Sequence, residues 1–220
     1  MLRHVTLSAG IAAVLLFTMT ASAADKAGTV QKLFNGKDLS GWVWVQGKGK
    51  SPVESVWSVK DGILICKGSP VGYIRTTKTD YANYKLSLEW RWKPGSKGGN
   101  SGVLVHAQKP DMVWPKSVES QLFRGNAGDF WTIGGTTIEI PDADKRRKGR
   151  RHLNLTDDSE KKIGEWNTMT VTCKGDELIV HVNGVLVNHA KKSSVTSGAI
   201  CLQSEGAEVH FRNVVLTPLK

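Results

Sequence analysis

Tyr84–Trp92 reads YKLSLEWRW, and its strict alternation decides the fold class. Successive side chains of a strand point to opposite faces. Tyr84, Leu86, Leu88, Trp90 and Trp92 therefore share an apolar face, while Lys85, Ser87, Glu89 and Arg91 share a polar one. No helical period fits this pattern, so the segment is half of a β-layer with one face in a core. Similar short runs lie on both sides of it. Val56–Val59 and Gly62–Cys66 flank Asp61-Gly62, a hairpin signal, and Gly72–Thr76 follows. Further on, Trp166–Lys174 and Glu177–Asn183 flank Gly175-Asp176, and Asn183-Gly184 turns the chain into Val185–Asn188. Ala199–Gln203 and Glu208–Leu216 complete the series. About a dozen short strands, with no internal repeat and no amphipathic helix beyond the leader, predict an all-β sandwich. Lys93–Gly99 and Asp142–Arg151 read as long loops.

The chain has 220 residues and a formal net charge of +10. Arg3 and His4, an apolar run from Val5 to Thr20, and Ala21-Ser22-Ala23 form a signal-peptide pattern with cleavage expected after Ala23. The run is short of the roughly 20 apolar residues that span a bilayer. A mature domain over 24–220, periplasmic or secreted and with no stable membrane insertion after cleavage, is the expectation. Export argues against a nucleic-acid partner despite the positive charge. Much of that charge sits in Lys145–Arg151 (KRRKGRR), read as a solvated loop, with docking to an anionic polysaccharide as the sharper reading. Cys66, Cys173 and Cys201 all lie in apolar runs without metal spacing, and buried thiols are expected.

Gly98–Trp131 (GGNSGVLVHAQKPDMVWPKSVESQLFRGNAGDFW) carries the chemistry. Glu119 and Gln121 share one face of a strand, with Val118, Ser120 and Leu122 on the other. Glu119 is the first candidate for a general base or a metal ligand. His106, at a strand end, is the second candidate for base, acid or ligand. Arg91 would stabilise an oxyanion and Glu89 would orient it. Gln121 and Asp129 suit hydroxyl groups, and Trp131 and Trp114 suit stacking on a sugar ring. Glu205, in Gln203-Ser204-Glu205-Gly206, is a further binding candidate. A divalent cation on Glu119, Asp129 and His106 would polarise a carbonyl.

Six motifs in order also resemble one family: LFNGKDLSGW (Leu33–Trp42), GNSGVLVH (Gly99–His106), ESQLFRGNAGDFW (Glu119–Trp131), EWNTMTV (Glu165–Val171), VNGVLVN (Val182–Asn188), and LQSEG with FRNVVL within Leu202–Leu216. The chain is similar to the 3-keto-disaccharide hydrolase domain family from about residue 31 to its end. The resemblance implies a concanavalin A-like jelly roll of two antiparallel sheets. It also implies 3-keto-glucoside 1,2-lyase and 3-keto-2-hydroxyglucal hydratase chemistry on an oxidised sugar or glycoside. Many members carry arginine near His106, which puts an imidazole requirement in doubt. A non-catalytic glycan-binding module of the same fold is the leading alternative. A conventional glycosidase ranks last, because Glu119–Phe123 offers a single acid where that mechanism needs a pair.

Overall fold

The structure is a computed structural model that describes residues 29–220; the leader and its cleavage site lie outside the described residues. In chain order the elements begin with β1 (Gln31–Lys32), β2 (Trp42–Gln46), β3 (Trp57–Lys60), β4 (Ile63–Cys66), β5 (Gly72–Thr76) and β6 (Tyr84–Trp92). Next come β7 (Gly102–Ala107), β8 (Ser117–Gln121), β9 (Phe130–Ile133), α1 (Ala143–Arg146), β10 (Arg147–Lys148) and β11 (Arg151–His152). The last five are β12 (Asn167–Lys174), β13 (Glu177–Val182), β14 (Val185–Ala190), β15 (Ala199–Ser204) and β16 (Val209–Pro218).

Two antiparallel sheets of eight strands face each other. The back sheet runs β14-β13-β12-β6-β16-β4-β3, with β1 also paired to β16. The front sheet runs β10-β11-β9-β8-β7-β15-β5-β2. The all-β sandwich expected from periodicity is therefore the fold. Hairpin chemistry works as read: Asp61 and Gly62 both take positive φ (52° and 74°), as do Asn183 and Gly184 (51° and 83°). That backbone twist matches the twist of the strands it joins.

Between the sheets lies one continuous core. The back sheet contributes Trp57, Leu88, Trp90, Met169 and Phe211; the front sheet contributes Ile74, Val103, Val118, Leu122, Phe130 and Leu202. Each such side chain, once fully buried, contributes about 1.5–3 kcal/mol. All three cysteines are buried and free, as expected.

Two segments depart from the sequence reading. Asp142–Arg151 is not a bare loop. It contains the four-residue α1 and the β10–β11 hairpin, which extends the front sheet at its edge through Arg151↔Trp131 and His152↔Phe130. Nor is its basic run uniformly solvated. Arg146 is buried, donating to Leu153 O, Pro141 O and Asn188 Oδ1. Among the described residues no helix is long and apolar enough to cross a membrane.

A smaller apolar cluster sits on the outer face of the front sheet, built from Val45, Tyr73, Leu104, Ala107, Ile133, Ala199 and Cys201. The connection between β7 and β8 is fastened to this side of the sheet. Arg75 grips Asp111 with two hydrogen bonds of 2.8 and 2.9 Å, and Tyr73 Oη donates to Met112 O at 2.9 Å. These anchors hold Trp114 in place as one wall of a pocket.

Candidate active site

The pocket has a volume of about 270 Å³ and opens on the outer face of the front sheet. Strand register sets its floor. Glu119 on β8 lies between Leu104 of β7 and Trp131 of β9, and Gln121 lies beside Gly102. Because Val118 and Ser120 face the core, Glu119 and Gln121 must face out into the pocket. Trp114 stands to one side; Trp131 stands on the other, with the Arg150 guanidinium 5.8 Å from its ring centre. Asn100, Glu205 and Ile133 complete the lining.

Gly102 permits this floor. A β-carbon there would lie 2.5 Å from Gln203 Oε1 and closer still to Glu119 Oε1. Any side chain at 102 would therefore displace the carboxyl group. Glu119 is only 5% exposed, and its Oε1 has no hydrogen-bond partner. Burial, reinforced by the nearby Glu205 charge and opposed by the neighbouring Gln203 amide and then by Arg150, pushes the Glu119 carboxyl up to about 8. Burial also pushes Glu205 up to about 7. Two carboxyl groups raised towards neutrality in one pocket have the chemistry that an acid–base pair needs.

Gln121 is a brace. Its Nε2 donates to Asn100 Oδ1 at 3.0 Å, and its Oε1 accepts from Trp131 Nε1. It therefore fixes two lining residues and has little left for substrate hydroxyls.

Four sequence candidates are corrected by position. His106 is buried with φ 55°, and Nδ1 contacts Val195 O while the ring edge packs on Tyr84. Register between β7 and β15 slips at this point, so the left-handed residue turns inward and Ala107 takes the outer position. Burial also pushes the imidazole below its ordinary range. Asp129 is 1% exposed and fully engaged: Oδ2 accepts from Arg151 Nε and Oδ1 from Asn154 N, both at 2.6 Å. It ties β9 to β11 rather than facing a ligand. Glu89 and Arg91 lie on the outer face of the back sheet, across the whole sandwich from the pocket. There Glu89 accepts from Arg212 Nε and Asn213 Nδ2, both at 2.7 Å. Arg91 donates to His210 Nδ1 and lies over Trp166 at 4.5 Å.

The proposed metal ligands Glu119, His106 and Asp129 accordingly do not converge. Among the described residues no three His, Cys, Asp or Glu side chains are grouped to hold a metal ion. The remaining acids of the pocket, Glu119 and Glu205, do not by themselves make such a set. Sequence reasoning missed Arg150, Asn100 and Gly102. Only Gly102 carried a signal, as a glycine inside an otherwise apolar strand.

Residues 29–217 match the model of the 3-keto-alpha-glucoside-1,2-lyase-like domain. The chain belongs to that family. A 3-keto-disaccharide hydrolase of Bacteroides thetaiotaomicron is 34% identical over 84 residues, a stretch covering 35% of this chain and 27% of the relative. A provisionally named glycosyl hydrolase from Parabacteroides distasonis superposes with a TM-score of 0.64 at 24% identity, over 87% of this chain and 94% of that one. The CBM66 carbohydrate-binding module of Bacillus subtilis gives a TM-score of 0.56 at 14% identity, over 79% and 93%. The Bacillus licheniformis β-glucanase gives 0.56 at 10%, over 89% and 99%. These neighbours share the concanavalin A-like sandwich, and membership of this lyase-like family makes the chain carbohydrate-active.

Proposed function

We propose that this family member is an exported enzyme that cleaves 3-keto-glucosides by elimination across carbons 1 and 2 and hydrates the product. The observation that carries the reading is the pairing of Glu119 and Glu205, both held near neutral titration in a pocket walled by tryptophan. A ketone at carbon 3 acidifies the hydrogen at carbon 2. Glu205, the less buried of the two, takes that proton, and the C–H electron pair becomes the enolate. The enolate re-forms the ketone, makes a double bond between carbons 1 and 2, and expels the aglycone oxygen from carbon 1. Glu119, the more deeply buried carboxyl, protonates that oxygen. Water then adds to carbon 1 and a proton returns to carbon 2, with the two carboxyl groups exchanging roles. The net change is glycoside plus water to 3-keto-sugar plus alcohol.

Arg150 takes the oxyanion role first assigned to Arg91, because it is the cation that lines the pocket. Trp114 and Trp131 offer flat apolar faces to the pyranose ring. The leader pattern supports action in the periplasm or outside the cell.

One observation favours a second reading. Glu205 supplies the second acid that Glu119–Phe123 lacks, so a conventional two-carboxylate glycosidase is chemically open. A paired assay decides. Aglycone release from a 3-keto-glucoside, with none from the parent glucoside, is the expected result. Equal release from both would replace elimination by conventional hydrolysis, and binding without release from either would make the domain a glycan-binding module.

A further inference from the structure

Three buried polar atoms without partners gather at one point of the front sheet: Glu119 Oε1, Gln203 Oε1 and Gln203 Nε2. A buried donor or acceptor left unpaired destabilises the fold. Such a concentration beside a candidate catalytic acid therefore calls for a reason. Gln203 lies on β15 next to Gly102 on β7, in the row that continues to Gln121 on β8. Both Glu119 Oε1 and Gln203 Oε1 crowd the space above the Gly102 Cα. Gln203 is 1% exposed and does not line the pocket, so it touches no substrate. Its amide oxygen and nitrogen exchange places by a half-turn of the terminal torsion, an orientation assigned rather than observed. Turned that way, Nε2–H faces the Glu119 carboxyl.

We propose that Gln203 is a positioning residue, whose amide N–H donates to Glu119 Oε1 across Gly102 and keeps the transferable proton on Oε2, the oxygen left to face the pocket. The charged and titratable groups that face this carboxyl are Glu205, beyond the end of β15, and Arg150, in the β10–β11 turn. Neither hydrogen-bonds Oε1, which shares the space above Gly102 with the Gln203 amide. The donor favours the ionised carboxylate, so it offsets part of the upward push of burial. Gly102 is the condition for the contact. This inference rests on the acid–base role given to Glu119 above, but its test does not.

The test follows the Glu119 carboxyl directly. The infrared carboxyl band is titrated in the wild-type protein and in Gln203→Met, with Glu119→Gln identifying the band. Gln203→Met keeps the length of the side chain and removes the donor. The expected result is a midpoint raised by about one pH unit, a tenfold change in proton affinity. On a 3-keto-glucoside, kcat near neutral pH falls about tenfold while KM changes less than about twofold. Should Gln203→Met fail to fold, Gln203→Glu, the closest match in shape, raises the midpoint further. An unmoved midpoint in a folded variant overturns the proposal, as does a KM that rises in step with the loss of kcat. If the wild-type protein turns over no keto-glucoside yet the midpoint still moves, the function reading fails and the coupling stands.

Discussion

The two outer faces of the sandwich carry the same kinds of residue and treat them oppositely. On the back sheet Glu89, Arg91 and Glu208 have all found company. Glu89 is held by Arg212 and Asn213, Arg91 by His210, and Glu208 by both His210 and Lys93. Arg91 and Arg212 also both lie against the Trp166 ring. On the front sheet Glu119 is buried against a glycine with one oxygen unpaired, and Glu205 is shielded enough to hold its proton near neutrality. A saturated network has settled its electrostatics within the fold. An unsaturated one reserves its hydrogen-bonding capacity for something else. That difference, and not residue type, separates the site from the decorated surface.

The comparison can be broken at several places. The largest effect belongs to Glu119→Gln, which is expected to lower kcat on a 3-keto-glucoside about 10³-fold, within the range for proton transfer. The same variant should melt no lower than wild type, since it removes a buried ionisable group. A calorimetric scan beside the assay reads both. Arg150→Met comes next, with a loss of about 10²-fold that falls on kcat, as removal of a single oxyanion donor does.

A pH effect on stability follows from the raised carboxyl. Glu119 is pushed from 4.5 in the unfolded chain to about 8 in the fold, so the folded state binds the extra proton between those values. Stability therefore falls as pH rises through that window. Denaturant titrations at pH 5 and pH 8.5 should show a smaller difference in Glu119→Gln than in wild type; an equal difference would place the cause elsewhere. Dialysis against EDTA should leave turnover intact if Arg150 polarises the ketone. Activity lost to the chelator and restored by a divalent ion would transfer that role to a metal. Smallest of all, Glu89→Gln should change turnover less than twofold and stability by no more than about 1 kcal/mol, as for a partly exposed pair.

Much of the architecture was legible because alternation and turn chemistry are local. The Asp61-Gly62 and Asn183-Gly184 hairpins and the outward face of Glu119 and Gln121 follow from neighbours in sequence. What alternation does not encode is which of two outer faces a polar stripe belongs to. Glu89 and Arg91 repeat the pattern of Glu119 and Gln121, yet β6 lies in the opposite sheet. His106 was lost to a single left-handed residue that reverses the alternation. Arg150 was hidden in a charge run, because only the β10–β11 hairpin separates it from its neighbours: Arg146 goes into the interior, Arg151 to Asp129, and Arg150 to the pocket.

The fastening of the β7–β8 connection has a consequence for recognition. Trp114 rests on a segment pinned by the Arg75–Asp111 fork and the Tyr73 hydroxyl, so the backbone that carries its ring is set before any ligand arrives. Ordering a mobile aromatic on binding costs about 0.5–1.5 kcal/mol, and here the fold has already met that cost. Selectivity then comes from shape that precedes the ligand. Under the proposed role, a sugar would meet a wall whose backbone is already fixed in place.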